Sequence, residues 1–207
     1  MRRLVKGLIR LVSLAALVSG CGGSTPAAGS AATTSMSPAE ARAFIAKVQA
    51  DRGVQPDPTP VTSIDQLLDV LAADELGRFE AAGRLVEGKP GIDALSLHAT
   101  LELCWSDSFT TVALVVEELR KQDDVELKRL TQERDAGREL TDQQKQELDK
   151  AQEKVAFDVK AKSALEALAK DHLGTAGSLV HEEIRQFPND PRTYRVAAFY
   201  YLLTGDW

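Results

Sequence analysis

The stretch from Glu117 to Lys162 constrains the fold most strongly, because it is rich in charge and yet keeps a sparse helical pattern of apolar residues. Of its 46 residues, 13 are acidic and 11 are basic, and Phe157 is its only aromatic residue. The apolar positions recur at helical spacing on both sides of Gly137: Val116, Leu119, Leu127 and Leu130, then Leu148, Ala151, Val155 and Val159. Such narrow stripes bury only one thin seam. The pattern predicts two antiparallel helices of about 25–30 residues, each about 40 Å long, joined by a turn at Gly137.

Capping and breaking signals divide the rest of the chain into further helices. A Ser or Thr followed three residues later by Glu or Gln opens three apolar runs, as expected for a capping box; the pairs are Ser37 with Glu40, Ser63 with Gln66, and Thr141 with Gln144. Proline-rich breaks lie at 55–60 and 188–191. No segment alternates with period two, so the predicted fold class is all-α, built of helical hairpins around the long charged pair.

The chain is accordingly divided into an N-terminal helical region over residues 37–107, a long antiparallel helical hairpin over 108–170 and a C-terminal segment over 171–207. Within the first region, the apolar pattern continues from Ile92 towards Trp105. In the C-terminal segment, a separate helix is predicted to begin at His172–Ala176 and to end before Pro188.

The N-terminal 21 residues indicate export. Four basic residues precede a short apolar run from Leu11 to Val18, which is too short to span a bilayer. The following Ser19-Gly20-Cys21 resembles the lipobox of bacterial lipoproteins, with Val18 where leucine is commoner. The resemblance implies a signal peptide over 1–20 and a lipidated N-terminus at Cys21, followed by a flexible tether to residue 36. Because Gly22 replaces the aspartate associated with inner-membrane retention, it also implies the outer membrane, facing the periplasm.

The charge balance restricts the partners. The chain has a formal net charge of −6, and loss of residues 1–20 with their four positive charges would bring it to −10. An acidic chain without a basic cluster is not expected to bind nucleic acid or to adsorb to anionic lipid through its own surface, so the membrane contact falls to the acyl chains. Cys104, the second of two cysteines, is expected to be a buried thiol.

The last residues resemble a tetratricopeptide repeat (TPR). Pro188 matches the proline that closes a repeat, and the following positions match the aromatic, small and turn residues of the next one: Tyr194, Ala198, Tyr201, Gly205, Asp206 and Trp207. Lys160 departs from the pattern, because it stands where the preceding repeat should open with an aromatic residue. The second helix of the repeat would begin at Trp207, where the sequence stops. We therefore expect either a longer natural chain or a covering partner or second copy, with Tyr194, Tyr201 and Trp207 in protein contacts.

The residues suited to catalysis form no constellation in the sequence. Gly83–Lys89 has the glycine and lysine spacing of a P-loop, but Pro90 replaces the required hydroxyl residue and a helix precedes it. His98, His172 and His181 lack metal-ligand spacing and are predicted to have surface or capping roles. Acidic pairs such as Asp123-Asp124 are predicted to be solvated, with little change in pKa. We expect no enzymatic activity, no cofactor and no metal.

The sequence thus favours a membrane-anchored envelope protein that acts as a helical scaffold or assembly factor for protein partners, with self-association as a further possibility. The alternative is a periplasmic ligand-binding component of a transport system. A cavity lined by Leu101, Cys104, Trp105 and Phe109 would favour the alternative, whereas a solid core there with exposed C-terminal aromatic residues would favour the scaffold.

Overall fold

The computed structural model describes residues 36–51, 59–73 and 76–205. Within these ranges the regular structure is entirely α-helical, which confirms the all-α prediction. The helices are α1 (Pro38–Asp51), α2 (Ile64–Ala73), α3 (Leu76–Val86), α4 (Ile92–Asp135), α5 (Asp142–Gln186) and α6 (Pro191–Thr204). The predicted signal peptide, Cys21, the tether up to residue 35 and Trp207 lie outside the described residues. Met36, the last residue predicted to belong to the tether, instead packs against the cluster of Ala41 and Leu168.

The predicted long antiparallel pair is confirmed as α4 and α5, which pack against each other along the hairpin. The predicted turn residue, Gly137, has a left-handed φ of 73°, a conformation that glycine adopts without a steric penalty. Thr141 then starts α5 with the predicted capping box: its side chain accepts from the Gln144 backbone N–H at 3.2 Å, and Gln144 Oε1 accepts from the Thr141 N–H at 2.9 Å.

The two arms are longer than predicted. They contain 44 and 45 residues, hence about 66 Å each at 1.5 Å per residue, instead of 25–30 residues. The apolar run from Ile92 to Trp105 and the segment from His172 to Ile184 are not separate helices. They are the halves of α4 and α5 that lie farthest from the turn, and both helices pass through positions 107–108 and 170–171 without interruption.

The sequence does not reveal that α4 and α5 are continuous, because the number of helices packed around them changes along their length and the apolar pattern changes with it. Near the turn, the apolar cluster consists of hairpin residues alone, namely Leu127, Leu130, Leu140 and Leu148. At the other end, which we call the base, the smaller helices pack on the hairpin: Phe79 of α3 joins the cluster of Leu101, and Val196 of α6 joins that of Leu103. The base halves are therefore apolar on several sides, and they resemble independent core helices in sequence.

Local signals fix the remaining junctions. Ser37 and Glu40 form the predicted capping box at the start of α1. At α2, the Gln66 N–H donates to Ser63 Oγ at 3.2 Å, but Gln66 Oε1 accepts from the Thr62 N–H at 2.8 Å in place of the Ser63 N–H. None of the helices in the described ranges combines the length and apolar character that a membrane span requires.

Candidate functional site

A concave surface at the base lies between α3, α4 and α6, with Ile64 of α2 at its margin. We call it the basal groove; its volume is about 680 Å³. Its apolar lining comes from all four helices and comprises Ile64, Leu85, Val86, Leu97, Val196 and Phe199. Such a volume lies within the roughly 300–1,000 Å³ of ligand pockets, although this groove is more open than a typical pocket.

Three basic side chains, Lys89, Arg192 and Arg195, also line the basal groove. Arg192 is neutralised locally, because its guanidinium binds Asp190 at 2.7 Å and Asp93 at 2.5 Å. Hydrogen bonds from the Arg192 side chain and backbone lower the pKa of Asp190 to about 2. Lys89 and Arg195 are exposed and form no ion pair with the described residues. The groove thus combines an apolar surface with two unpaired cations in a protein of net charge −6.

A buried carboxylate between two histidines lies in the core of the base. Glu102 Oε2 is 2.7 Å from His172 Nδ1, and its Oε1 is 3.6 Å from His98 Nε2. The His172 ring is stacked on Trp105, with ring centroids 4.2 Å apart. Burial raises the pKa of Glu102, but hydrogen bonds and charge from the two histidines outweigh it, so the net pKa is lowered. Glu102 and His172 are each only 7% exposed, so the cluster stabilises the core and offers a substrate little access.

A second buried pair joins the arms of the hairpin. Asp158, 3% exposed, faces the half-buried Asp123, and one oxygen of each carboxylate has no hydrogen-bond partner among the described residues. Lys154 Nζ binds the other oxygen of Asp123 at 2.7 Å. Burial first, and then the charge of Asp123, raises the pKa of Asp158 to about 6. The prediction that Asp123 is a solvated carboxylate is wrong, because the seam between the helices encloses it.

A third buried carboxylate, Glu183, lies where α4, α5 and α6 meet. It is 1% exposed and accepts a hydrogen bond from Ser96 Oγ, while its Oε2 has no hydrogen-bond partner in the described part of the chain. Burial raises its pKa despite the hydrogen bond from Ser96. Ser96 also lines the basal groove, so this buried carboxylate is hydrogen-bonded to a residue of the groove wall.

The predicted protein-binding tyrosines lie on α6 but outside the groove. Tyr194 is 57% exposed, and its hydroxyl donates to the Pro188 carbonyl. Tyr201 is half-buried and packs edge-on against Tyr200, with ring centroids 5.3 Å apart. Seven residues separate Tyr194 and Tyr201, so they share one helix face about 10.5 Å apart along the axis. Trp207, the third predicted contact, is outside the described residues, as is Cys21, the predicted lipidation site.

The groove residues of α6 occupy the opposite face. Arg192, Arg195, Val196 and Phe199 follow an i, i+3, i+4, i+7 pattern, whereas Tyr194 and Tyr201 lie about 180–200° away from Arg192 around the helix. Sequence reasoning missed the groove because its walls come from four helices. The sequence signal that could have indicated the groove is the occurrence of basic and apolar residues together on one face of α6.

Two histidine predictions are also wrong. His172 is buried, and His98 is half-buried beside Glu102, since both face the core between α4 and α5. His181 is exposed as predicted, with Nδ1 2.7 Å from the Gly177 carbonyl one turn earlier. In the part of the chain that the structure covers, no cluster of three or more histidine, cysteine, aspartate or glutamate residues is arranged to hold a metal ion.

The region proposed as a ligand cavity is packed. Leu101 is fully buried, and Trp105 contacts the edge of Phe79 and the face of His172. A smaller pocket of about 250 Å³ lies elsewhere, between α4 and α5 near Leu114 and Lys170. No family model, curated protein or solved structure matches this chain.

Proposed function

We propose that this protein is exported, lipidated at Cys21, and serves in the cell envelope as a helical scaffold for protein partners. The observation that carries the proposal is the hairpin itself. Its apolar clusters shared with α1, α3 and α6 reach no farther towards the turn than Phe109 and Phe157. Because α1 still contacts Phe157, the part of the hairpin that the other described helices leave free runs from there to the start of α5 at Asp142, which is about 22 Å of helix.

The distal part of the hairpin is built to remain exposed. Its apolar cluster is small, and ion pairs link its arms or reinforce single helices, such as Lys154 with Asp123 at 2.7 Å and Arg129 with Glu126 at 2.6 Å. Individual exposed pairs contribute little, about 0.2–1 kcal/mol, but a series of them favours the helical state of a solvated arm. Exposed apolar side chains such as Val125, 69% exposed, offer contact points for another protein.

The proposed arrangement places the anchor on the N-terminal side of α1 and the partner contacts on the hairpin and on α6. The TPR resemblance supports Tyr194, Tyr201 and Trp207 as contact residues, and the exposure of Tyr194 is consistent with that role. The outer membrane, facing the periplasm, is the proposed location, on the lipobox resemblance and Gly22.

The ligand-binding alternative has lost the cavity first suggested for it, because His172 and Trp105 fill that region. It retains one supporting observation, the basal groove of about 680 Å³. A periplasmic binding component would use that groove for a small molecule, and it would not need an exposed hairpin.

The anchor is tested by measuring the intact mass of the exported protein in membrane fractions, beside a Cys21→Ser variant. We expect the wild-type chain to start at residue 21 with added lipid mass, and the variant to lose both the lipid mass and its membrane association. Equal membrane association of the two proteins, with no lipid mass on either, would exclude the lipid anchor.

The scaffold role is tested by placing a photo-crosslinking residue at Val125 or Tyr194 in growing cells, with Lys150 as the matched control because it is exposed but charged. We expect covalent adducts with another polypeptide at Val125 or Tyr194 well above the Lys150 level. Yields equal to that control at both positions would refute the scaffold.

A further inference from the structure

We infer that the basal groove binds the α2 helix of a second copy of this chain, so that two molecules form a symmetric dimer through their bases. The inference goes beyond the proposed function, since a scaffold can bind other proteins as a monomer. It rests on the chemistry of two neighbouring surfaces, the basal groove and the outer face of α2.

The outer face of α2 carries apolar side chains that the described residues leave exposed. Leu67 and Val70 are fully buried and hold the helix on the base, whereas Ile64 and Leu68 are 45% and 47% exposed. Ile64 and Leu68 are four residues apart and therefore form one stripe along the helix. Ile64 also borders the basal groove, so the stripe and the groove form one continuous apolar surface.

The charges beside the apolar stripe of α2 are complementary to those of the basal groove. Asp65 and Asp69 are exposed and flank the apolar stripe on α2, one helical turn apart. The basal groove presents the opposite combination, an apolar lining with the exposed cations Lys89 and Arg195, which form no ion pair with the described residues. Its acidic lining residue, Asp93, is paired with Arg192. An apolar stripe with two acidic neighbours is the surface that such a groove would accept, and α2 supplies it.

The two surfaces lie side by side on one molecule, so a twofold axis between two copies can bring each surface against its complement on the other copy. In such an interface the same patch is used by both copies, and each contact occurs twice. Ile64 and Leu68 of each copy enter the groove of the other, and Asp65 and Asp69 approach Lys89 and Arg195. The result is a closed pair in which the distal parts of both hairpins stay outside the interface, since no groove residue lies beyond Thr100 on α4.

The test is a charge exchange monitored by native mass spectrometry of the exported full chain in detergent, over a range of protein concentrations. The acidic surface is reversed in Asp65→Lys/Asp69→Lys and the basic surface in Lys89→Glu/Arg195→Glu. Like charges brought together across an interface oppose association, so we expect each double variant to raise the dimer dissociation constant at least about tenfold. The fourfold variant, in which both surfaces are exchanged, should recover most of the dimer.

Two controls separate association from folding. Lys160→Glu reverses an exposed charge on the hairpin and should leave the dissociation constant unchanged. Leu68→Ser should weaken the dimer without altering charge, and circular dichroism should show unchanged helix content in every variant.

Three results would overturn the inference. The first is a wild-type protein that is still monomeric at about 100 µM. The others are a dimer insensitive to both double variants and a fourfold variant that stays monomeric. A monomer that binds an acidic peptide in the groove would likewise assign the groove to another protein. Photo-crosslinks from Val125 to other polypeptides would be unaffected by any of these results, so the scaffold proposal is judged separately.

Discussion

The buried pair of carboxylates in the hairpin predicts that this protein is less stable at neutral pH than its packing permits. Asp158 is 3% exposed and faces Asp123, with one oxygen of each lacking a hydrogen-bond partner in the described ranges. Two ionised carboxylates can only repel each other, whereas a protonated Asp158 can donate a hydrogen bond to Asp123. Replacing Asp158 with asparagine keeps the shape and removes the charge.

The magnitude follows from the pKa of Asp158, which rises from 3.8 to about 6 in the folded protein. At about 1.36 kcal/mol per pKa unit, the ionised form costs the folded state about 3 kcal/mol as an upper bound. The folded protein binds this proton more tightly than the unfolded chain, so the free energy of unfolding falls as the pH rises from about 4 through about 6. Above that range the penalty is complete.

The assay is urea unfolding of wild-type protein and Asp158→Asn at pH 4.5, 6.0 and 7.5. We expect the variant to be more stable by about 1–3 kcal/mol at pH 7.5, with a difference that shrinks towards zero near pH 4. Asp149→Asn, on the exposed surface of the same helix, is the matched control and should show no such pH-dependent difference. A variant that is less stable than wild type at pH 7.5, or a difference that does not change with pH, would refute the reasoning.

Two further predictions concern the base. A Cβ at Gly177 would lie 2.7 Å from Tyr200 Oη, whereas one at Gly174 would meet nothing within 4 Å. Thermal or urea unfolding should therefore show that Gly174→Ala is more stable than wild type by about 0.5–1 kcal/mol. The Gly177→Ala variant should be less stable than Gly174→Ala by about 1–3 kcal/mol. Equal stabilities of the two variants would mean that Tyr200 moves aside freely. Glu102→Gln leaves His172 without its carboxylate, so unfolding at pH 7 should show a loss of about 1–3 kcal/mol. The pKa of Glu102 is lowered on folding, so this loss should shrink as the pH falls below about 4.5, and a loss that persists there would point to packing alone.

Patterns within a few residues of each other predicted much of the fold. Thr141 and Gln144 are three residues apart, and Gly137 needs only its own backbone conformation to form the turn. Such signals work because capping and turn formation depend on neighbouring backbone groups. The lengths of α4 and α5 were not predicted. The many apolar residues after Ile92 and His172 suggested separate helices, but these residues are apolar because other helices pack around the base of the hairpin.

The candidate site was less accessible to sequence reasoning. Tyr194 was correctly recognised as a residue on the last helix, but the groove lies on the opposite face of that helix, beside Arg192 and Phe199. His172 was predicted at the surface, although its Glu102 partner is 70 residues away in the sequence and meets it only across the hairpin. Pairings of this kind depend on how α4 and α5 align, which no short pattern records.

The sequence by itself determined that the chain is helical, where the long pair turns and where the last helix begins, because these features follow from side-chain periodicity, caps and breaks along the chain. Only the tertiary structure decided which carboxylates are buried and which apolar residues remain uncovered. Asp158 and Asp149 are both aspartates on α5, yet one lies in the seam and the other in water. The difference is physical: burial and pKa depend on the helices packed around a residue, and that packing is a property of the whole fold.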